Sequence, residues 1–251
     1  MITLYHGLAS TCSKKVRLAL YEKGLEFESR LVNLQAFEQH DPAYLKLNPN
    51  GVVPTLVHDG RALIESTIII EYIDEAWLEP ALSPPDPHGR AAMRIWTKWS
   101  DEHAYQAVYV PTWDRVSRPV ASKWSDHELD RRLARVPTAE RRERWRAAAR
   151  EGFSEDEFAA AAAEMHLTLG KLDDALSGGG PWLLGGFYSL ADIAMVPFVD
   201  RIINLEPDMV AGGANGAGPA LLARERGRPA SEAAFFIEGQ DCRRAALRQA
   251  R

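Results

Sequence analysis

The chain has 251 residues, 46% hydrophobic and 26% charged, with Lys+Arg 30 against Asp+Glu 35 and a net charge of -5. That composition builds a packed core and excludes a disordered chain, and the acidic balance (pI near 5.8) argues against a dedicated nucleic-acid binder. Two cysteines, Cys12 and Cys242, are too few for a disulfide framework or a four-thiolate zinc site, and no apolar run nears the ~20 residues that cross a bilayer. Met1–Tyr5 lacks the basic and then apolar start of a signal peptide, so a cytoplasmic location is expected.

The first eighty residues alternate strand and helix signals. Ile2–Tyr5 reads as a short apolar strand, His6–Thr11 as a loop, and Cys12–Glu22 as a helix with Val16, Leu18, Ala19 and Leu20 on its apolar face. Lys23-Gly24 stops that helix, because glycine takes up the left-handed cap conformation. Phe27–Leu34 alternates like a strand, and two strands joined by a helix are expected to run parallel with a right-handed crossover. Val52–Val57 and Arg61–Ile64 flank His58-Asp59-Gly60, and Asp-Gly between apolar runs predicts a hairpin. Glu65–Trp77 then reads as a helix with Ile68, Ile69, Tyr72 and Ile73 inward. The order βαβ, a short helical stretch, a hairpin and a closing helix is the connectivity of a thioredoxin-like α/β domain over residues 1–80.

Four prolines, Pro80, Pro84, Pro85 and Pro87, mark an extended connector. Beyond it strand signals nearly vanish. His88–Val110, Asp126–Val136, Ala139–Arg150, Ser154–Leu176 and Ser189–Leu205 carry helical patterns, so residues 88–251 are expected to form an all-α domain. Charge is uneven: residues 1–80 carry 7 basic and 11 acidic side chains, whereas 115–150 carry 11 basic and 5 acidic. That arginine surplus, in a basic insertion at about 115–153, reads as a solvated helical face. The Gly-rich stretches Gly178–Gly180 and Val210–Gly218 lack the spacing of a phosphate loop, and the scattered histidines lack the spacing of a metal site, so no metal is expected.

The chemistry-bearing residues cluster in three loops. Ser10-Thr11-Cys12-Ser13 lies where the first strand turns into the first helix, and a helix N-terminus stabilises an anion or thiolate with its unpaired N–H groups and positive dipole end. One cap needs only one such hydroxyl. A dithiol reductase needs a second cysteine at the place of Lys15. Val53-Pro54, just before a strand, is the kind of position where a cis bond occurs and where an exposed backbone pairs with an extended ligand. Glu65-Ser66 opens the next helix, offering N–H groups to a carboxylate and a carboxylate to an ammonium. Together they describe a peptide-like ligand with a thiol, a backbone and an amino-acid terminus. Tyr105, Tyr109 and Trp113 recur every four residues, a stripe suited equally to an acceptor pocket between the domains and to core packing. Trp96 and Trp99 read as core.

Taken in order, the S-x-C-S-x-x-V-R-L-A-L run at Ser10–Leu20, Asn48-Pro49-x-Gly51-x-Val53-Pro54-Thr55-Leu56, Glu65-Ser66-x-x-Ile69-x-Glu71-Tyr72 and Ser189-Leu190-Ala191-Asp192 resemble the glutathione transferase superfamily, serine type, over nearly the whole chain. The resemblance implies that glutathione is the co-substrate, that Ser10 hydrogen-bonds its sulfur, and that Thr11 lies beside it. It further implies that Val53 pairs with the cysteinyl backbone next to a cis Pro54, that Glu65 and Ser66 hold the γ-glutamyl end, and that His40 contacts the glycyl carboxylate. His40 reads equally well as a solvent-facing side chain after Gln39. Phe37-Glu38-Gln39-His40, Trp96–Glu102 and the Val136-Pro137…Trp145-Arg146…Gly152-Phe153 stretch look like bacterial glutathione-dependent β-aryl etherases. In that alignment Ser13 rather than Ser10 takes the thiol position, and the choice between them stays open. The Ser-x-Cys arrangement also resembles serine-cysteine members that isomerise cis double bonds.

The expectation is therefore a homodimeric enzyme that attacks a small hydrophobic, aromatic electrophile with the glutathione thiolate, including β-aryl ether cleavage, with no nucleic-acid or membrane partner. The alternatives are a non-catalytic binding protein of the same fold and a Cys12-dependent glutathione reductase or isomerase. Between Ala211 and Arg228, where the family carries a helix with a tryptophan, the glycine-rich sequence predicts a loop instead.

Overall fold

The computed structural model describes residues 1–213, 216–237 and 240–241; Cys242 lies outside them. Strand β1 (Ile2–His6), helix α1 (Thr11–Glu22) and strand β2 (Glu28–Leu31) form the expected parallel βαβ unit, with Thr3 opposite Glu28 and His6 opposite Leu31. β2 is shorter than its alternation suggests. It is an exposed edge strand on all four residues. A short helix, α2 (Pro42–Leu45), leads to β3 (Thr55–His58) and β4 (Arg61–Leu63), and the sheet order is β2-β1-β3-β4. Asp59 (φ 48°) and Gly60 (φ 77°) close the hairpin in the left-handed region, as a two-residue turn between twisted strands requires.

Helix α3 (Ser66–Ala76) covers the sheet beside α1. Its inward set is Ile69, Ile70 and Ile73; Ile68 is exposed, one position off the expected stripe. After the proline connector, α4 (Pro87–Trp99) and α5 (Tyr105–Thr112) form one long rod interrupted by a π-turn over Ser100–Ala104, and a second π-turn follows over Trp113–Ser117. Trp96 is core, and Trp99 packs against it from the edge. Helices α6 (Arg118–Ala121), α7 (Asp126–Leu133) and α8 (Ala139–Arg150) make a projecting arm, and α9 (Glu155–Leu176) returns along α5.

The central helix α10 (Leu190–Leu205) is almost wholly buried, and its start is fixed as its Ser189-x-x-Asp192 pattern predicts. Ser189 Oγ accepts from Ala191 N, while Asp192 accepts from Ser189 N (3.0 Å) and Leu183 N (2.9 Å). The loop expected over 211–228 is a helix for most of its length: α11 (Ala217–Arg226), followed by α12 (Pro229–Phe235). Leu221, Leu222 and Glu225 are buried, so packing overrides the low helix propensity of the sequence. Gly218 makes the approach possible, since a Cβ there would lie 3.1 Å from Leu169 Cδ2.

The hydrophobic interior has two parts. The main core joins α1, α3 and β1 to α4, α9 and α10. A second cluster holds Trp113, Ala121, Leu129, Leu133, Val136, Ala148 and Ala149 of the arm around a single side chain from the α/β half, Phe37.

Candidate functional site

A cavity of about 1060 Å³ lies between the two halves. Pockets for one drug-sized ligand run to roughly 300–1,000 Å³. This one lies at the upper end of that range. Among its lining residues Gln35, Gln39 and Thr112 each carry a buried side-chain oxygen without a partner in the protein, so the space suits a polar ligand.

One end of the cavity is the start of α1. Ser10 caps the helix, its Oγ accepting from Ser13 N at 3.2 Å, and Ser10, Thr11 and Cys12 all face the cavity. Ser13 is fully buried and its Oγ accepts from Gly7 N at 3.2 Å, which places it behind the loop and outside the cavity lining. The carbonyls of the preceding loop are turned to arginines. Arg17 donates to Gly7 O (3.3 Å) and Leu8 O (3.0 Å), and Arg201 donates to Ala9 O (2.6 Å). Carbonyl dipoles are thereby held away from the ligand side, leaving helix N–H groups toward it. Arg17 also meets His6 Nδ1 (3.0 Å). Burial, reinforced by that guanidinium, pushes the His6 pKa down to about 3, so its Nδ1 accepts from Arg17 and its Nε2–H donates to Ser29 Oγ (2.8 Å).

The floor is the segment before β3. Val53–Pro54 is cis, and Val52 O is held by Tyr44 OH (2.6 Å) and Asn48 Nδ2 (2.8 Å). At the far side Glu65 has φ 68°, a strained conformation for a non-glycine residue, immediately before buried Ser66 at the start of α3. Asn50 Nδ2 reaches Glu65 Oε1 (3.4 Å), and Thr67 Oγ1 donates to Asp101 Oδ2 (2.6 Å), which also pairs with Lys15 (3.0 Å). Asp101 thereby ties α3 to the helical half.

His40 is neither solvent-facing nor on the cavity wall. It is completely buried between Phe37 and Trp145, with ring centroids 5.5 and 5.4 Å away, and both ring nitrogens lack partners in the protein. Burial, with Arg141 and Arg135 nearby, pushes its pKa down to about 4, so it is neutral.

The opposite wall is helical. Tyr105 and Tyr109 are 5.7 Å apart and face the cavity; Trp113 touches it but packs mainly on Phe153 in the arm's core. Burial, and then the neighbouring Cys12, raises the Tyr105 phenol well above its ordinary value, so it stays a hydrogen-bond donor at neutral pH.

The basic arm is a solvated face only in part: Arg131, Arg144 and Arg146 are exposed, whereas others reach across to the α/β half. Arg132 donates to Ala36 O (2.9 Å), Arg135 pairs with Asp41, and Arg141 donates to Asn50 O (2.6 Å), so three arginines pin the arm to the loop of the α/β half. Phe37, at φ 64°, inserts its ring between Trp124 (5.4 Å) and Trp145 (5.3 Å). Arg141, Arg144 and Trp145 reach the cavity, and Trp145 Nε1 donates to Tyr109 OH (3.2 Å). Sequence reasoning missed these three, together with Gln39, Asp101 and Arg201. The available signal was Trp145, an aromatic amid charges on a helix otherwise read as exposed. Among the described residues no cluster of His, Cys, Asp and Glu is arranged to hold a metal ion.

Two family descriptions match the chain: "Glutathione S-transferase, N-terminal domain" over residues 4–80 and "Glutathione S-transferase, C-terminal domain" over 136–220. Protein LigF of Sphingobium sp. strain SYK-6 is 40% identical over 195 residues, 76% of this chain and 75% of its own length. Maleylacetoacetate isomerase of Pseudomonas aeruginosa is 49% identical over a shorter stretch, 36% of this chain and 44% of its own. The crystal structure of the beta-etherase LigF superposes with TM-score 0.87 at 35% identity, covering 93% of this chain and 98% of that one. A theta class glutathione S-transferase from Xanthomonas axonopodis pv. citri, solved with glutathione bound, gives TM-score 0.71 at 25% identity, covering 95% and 99%.

Proposed function

The chain belongs to the glutathione S-transferase family, as a thioredoxin-like domain followed by a helical one, and from that premise we propose that it cleaves bulky aromatic ethers with the glutathione thiolate. As a glutathione-dependent transferase it needs three things from its site: an ionised thiol, a fixed peptide and space for the acceptor. The supporting observation is the juxtaposition of Ser10, at the N-terminus of α1, with Val53-Pro54 and Glu65-Ser66 around one cavity, while Ser13 is turned into the protein.

In this reading residues 1–80 hold glutathione and residues 88–251 shape the acceptor side. The cysteinyl backbone pairs with Val53 beside Pro54. The γ-glutamyl carboxylate rests on Ser66 and the N–H groups of α3, and its ammonium faces Glu65. The thiol, with an ordinary pKa of about 8.5, loses its proton to solvent. Ser10 Oγ donates a hydrogen bond to the resulting thiolate, next to Thr11 and the positive end of the α1 dipole. The thiolate attacks the ether-bearing carbon. A C–S bond forms, the C–O bond breaks, and the aryloxide leaves with the bonding pair and takes a proton, so the step is redox-neutral. Tyr105 and Tyr109 lie on the wall where the aromatic acceptor stacks, with Trp113 at its edge. The likeness to LigF, whose solved structure is described as a beta-etherase, favours an aryl ether over a small electrophile.

The test is turnover of an aryl ether and of 1-chloro-2,4-dinitrobenzene by Ser10→Ala and Ser13→Ala. Loss in the first alone supports the assignment; loss in the second alone transfers the thiol role to Ser13.

Cys12 supports a second reading, because its thiol faces the same cavity beside Tyr105. A glutathione reductase or isomerase working through Cys12 predicts a Cys12–glutathione mixed disulfide, read as a mass shift absent from Cys12→Ser. We further infer a cytoplasmic homodimer. Ile68 on α3 and Ile95 on α4 are among the large apolar side chains left exposed and are offered for pairing. Light scattering of Ile68→Lys against the parent chain checks the dimer.

A further inference from the structure

Every cationic side chain on the described cavity wall comes from the helical half: Arg141, Arg144 and Arg201. The α/β half lines the same space with Glu38 and Glu65 but contributes no Lys, Arg or His. Glutathione is a dianion at its two carboxylates with one compensating ammonium. Its γ-glutamyl end has Glu65 and Ser66 to meet it, and at the other end the α/β half offers the glycyl carboxylate neutral amides (Asn33, Gln35 and Gln39) but no cation. His40 cannot serve, being buried off the wall and held neutral.

The three arginines differ in what they already do. Arg201 is committed to the Ala9 carbonyl. Arg144 lies over the Tyr109 ring, 5.2 Å from its centroid, with Glu157 at 3.7 Å. Arg141 spans the gap to donate to Asn50 O, one residue before Gly51 and the backbone that pairs with the peptide. Its guanidinium is backed by the Trp145 ring at 5.2 Å, and among the described residues no carboxylate lies within ion-pair distance of it. Using one of five N–H donors on Asn50 leaves the planar fork able to take a carboxylate. Gln39 is also on the wall beside His40 and Gly51, and its unpartnered side-chain oxygen is an acceptor suited to a peptide N–H of the ligand, not to its carboxylate.

We propose that Arg141, carried by the inserted arm, binds the glycyl carboxylate of glutathione. The proposal rests on the glutathione reading of the site given above. Bound glutathione then bridges the molecule, with its γ-glutamyl end on α3 and its glycyl end on α8, and its binding fastens the arm.

The experiment is calorimetric binding of glutathione and of its glycyl monoethyl ester to the whole chain, as wild type, Arg141→Met, Arg141→Gln and Arg135→Met. Arg135 pins the same arm through Asp41 but lies off the cavity wall, so it controls for arm docking. The wild type is expected to bind the acid about 10-fold tighter than the ester, the scale of one charge-assisted pair. Either Arg141 variant should bind both alike by losing affinity for the acid, while Arg135→Met keeps the preference. Absence of a wild-type preference, its survival in the Arg141 variants, or its equal loss in Arg135→Met overturns the proposal. If one Arg141 variant fails to fold by circular dichroism, the other decides. Failure of the wild type to bind either ligand overturns the glutathione reading instead.

Discussion

The two walls of the cavity are built in different ways. The α/β wall presents backbone: the capped N-terminus of α1, the Val53-Pro54 segment and the strained Glu65 before α3. The helical wall presents side chains, with tyrosines 105 and 109 from the α4–α5 rod and Arg141, Arg144 and Trp145 from the arm. Backbone donors are fixed by the fold and suit a ligand that never changes. Side chains on helices can be exchanged without disturbing the fold and suit a variable acceptor. The arm crosses this division, since its arginines hold the loop that carries the constant half of the site.

The comparison breaks first at Ser10. Ser10→Ala is expected to lower kcat/KM about 100-fold with either acceptor, the usual cost of removing one donor from a developing or stabilised anion. Ser13→Ala should leave the rate per folded molecule within a few fold but cost about 1–3 kcal/mol of stability by orphaning the Gly7 N–H, read by urea denaturation.

The arm gives the next effect. Phe37→Ala removes the α/β half's apolar side chain from the arm's core and should cost about 3–5 kcal/mol, with glutathione affinity falling alongside. Equal destabilisation with unchanged glutathione affinity would separate the arm from the constant half of the site.

Away from the cavity, Glu225 makes stability depend on pH. Burial pushes Glu225 up to about 7; one of its oxygens accepts from Tyr188 OH (3.2 Å) and the other has no partner in the protein. The folded protein therefore holds a proton that the unfolded chain releases above its ordinary carboxylate range. Stability from this group is full below about pH 4.5 and lost as pH rises through about 7. Glu225→Gln should match the parent at pH 5 and melt a few degrees higher at pH 8, checked by thermal scans at both values. Smallest is Tyr105→Phe. Removing a phenol that stays protonated should slow aryl-ether turnover by less than about 10-fold and leave glutathione affinity unchanged, measured as a kcat against KM split.

How much of this was legible follows from how local each signal is. Caps, the Asp-Gly turn and the Pro connector act over a few residues, so the α/β half could be read almost to its ends; β2 and the α3 stripe shifted, and the strand expected over Val52–Val57 is β3 at Thr55–His58, with Val52–Pro54 left as the loop that floors the cavity. Ile68 and Ile70 are equivalent in sequence, and packing alone decides which turns inward. The arm was readable as helices but not as a wall, because Arg141, Arg142, Arg144 and Arg146 look alike until tertiary structure gives each a partner. Arg142 bonds Val136 O and Arg146 pairs with Asp130, while Arg141 and Arg144 reach the cavity. His40 illustrates the same limit, since nothing beside Gln39 announces that Phe37 and Trp145 will enclose it. Helix α11 was hidden by glycines, one of which serves close packing against Leu169.

The central claim is that Ser10, at the start of α1, stabilises the thiolate of bound glutathione. It is tested most directly by the ultraviolet absorbance of that thiolate titrated against pH in the parent chain, Ser10→Ala and Ser13→Ala. A midpoint at least one unit below the ~8.5 of a free thiol is expected in the parent and in Ser13→Ala, returning toward that value in Ser10→Ala. An undepressed midpoint in the parent, or a rise confined to Ser13→Ala, contradicts it.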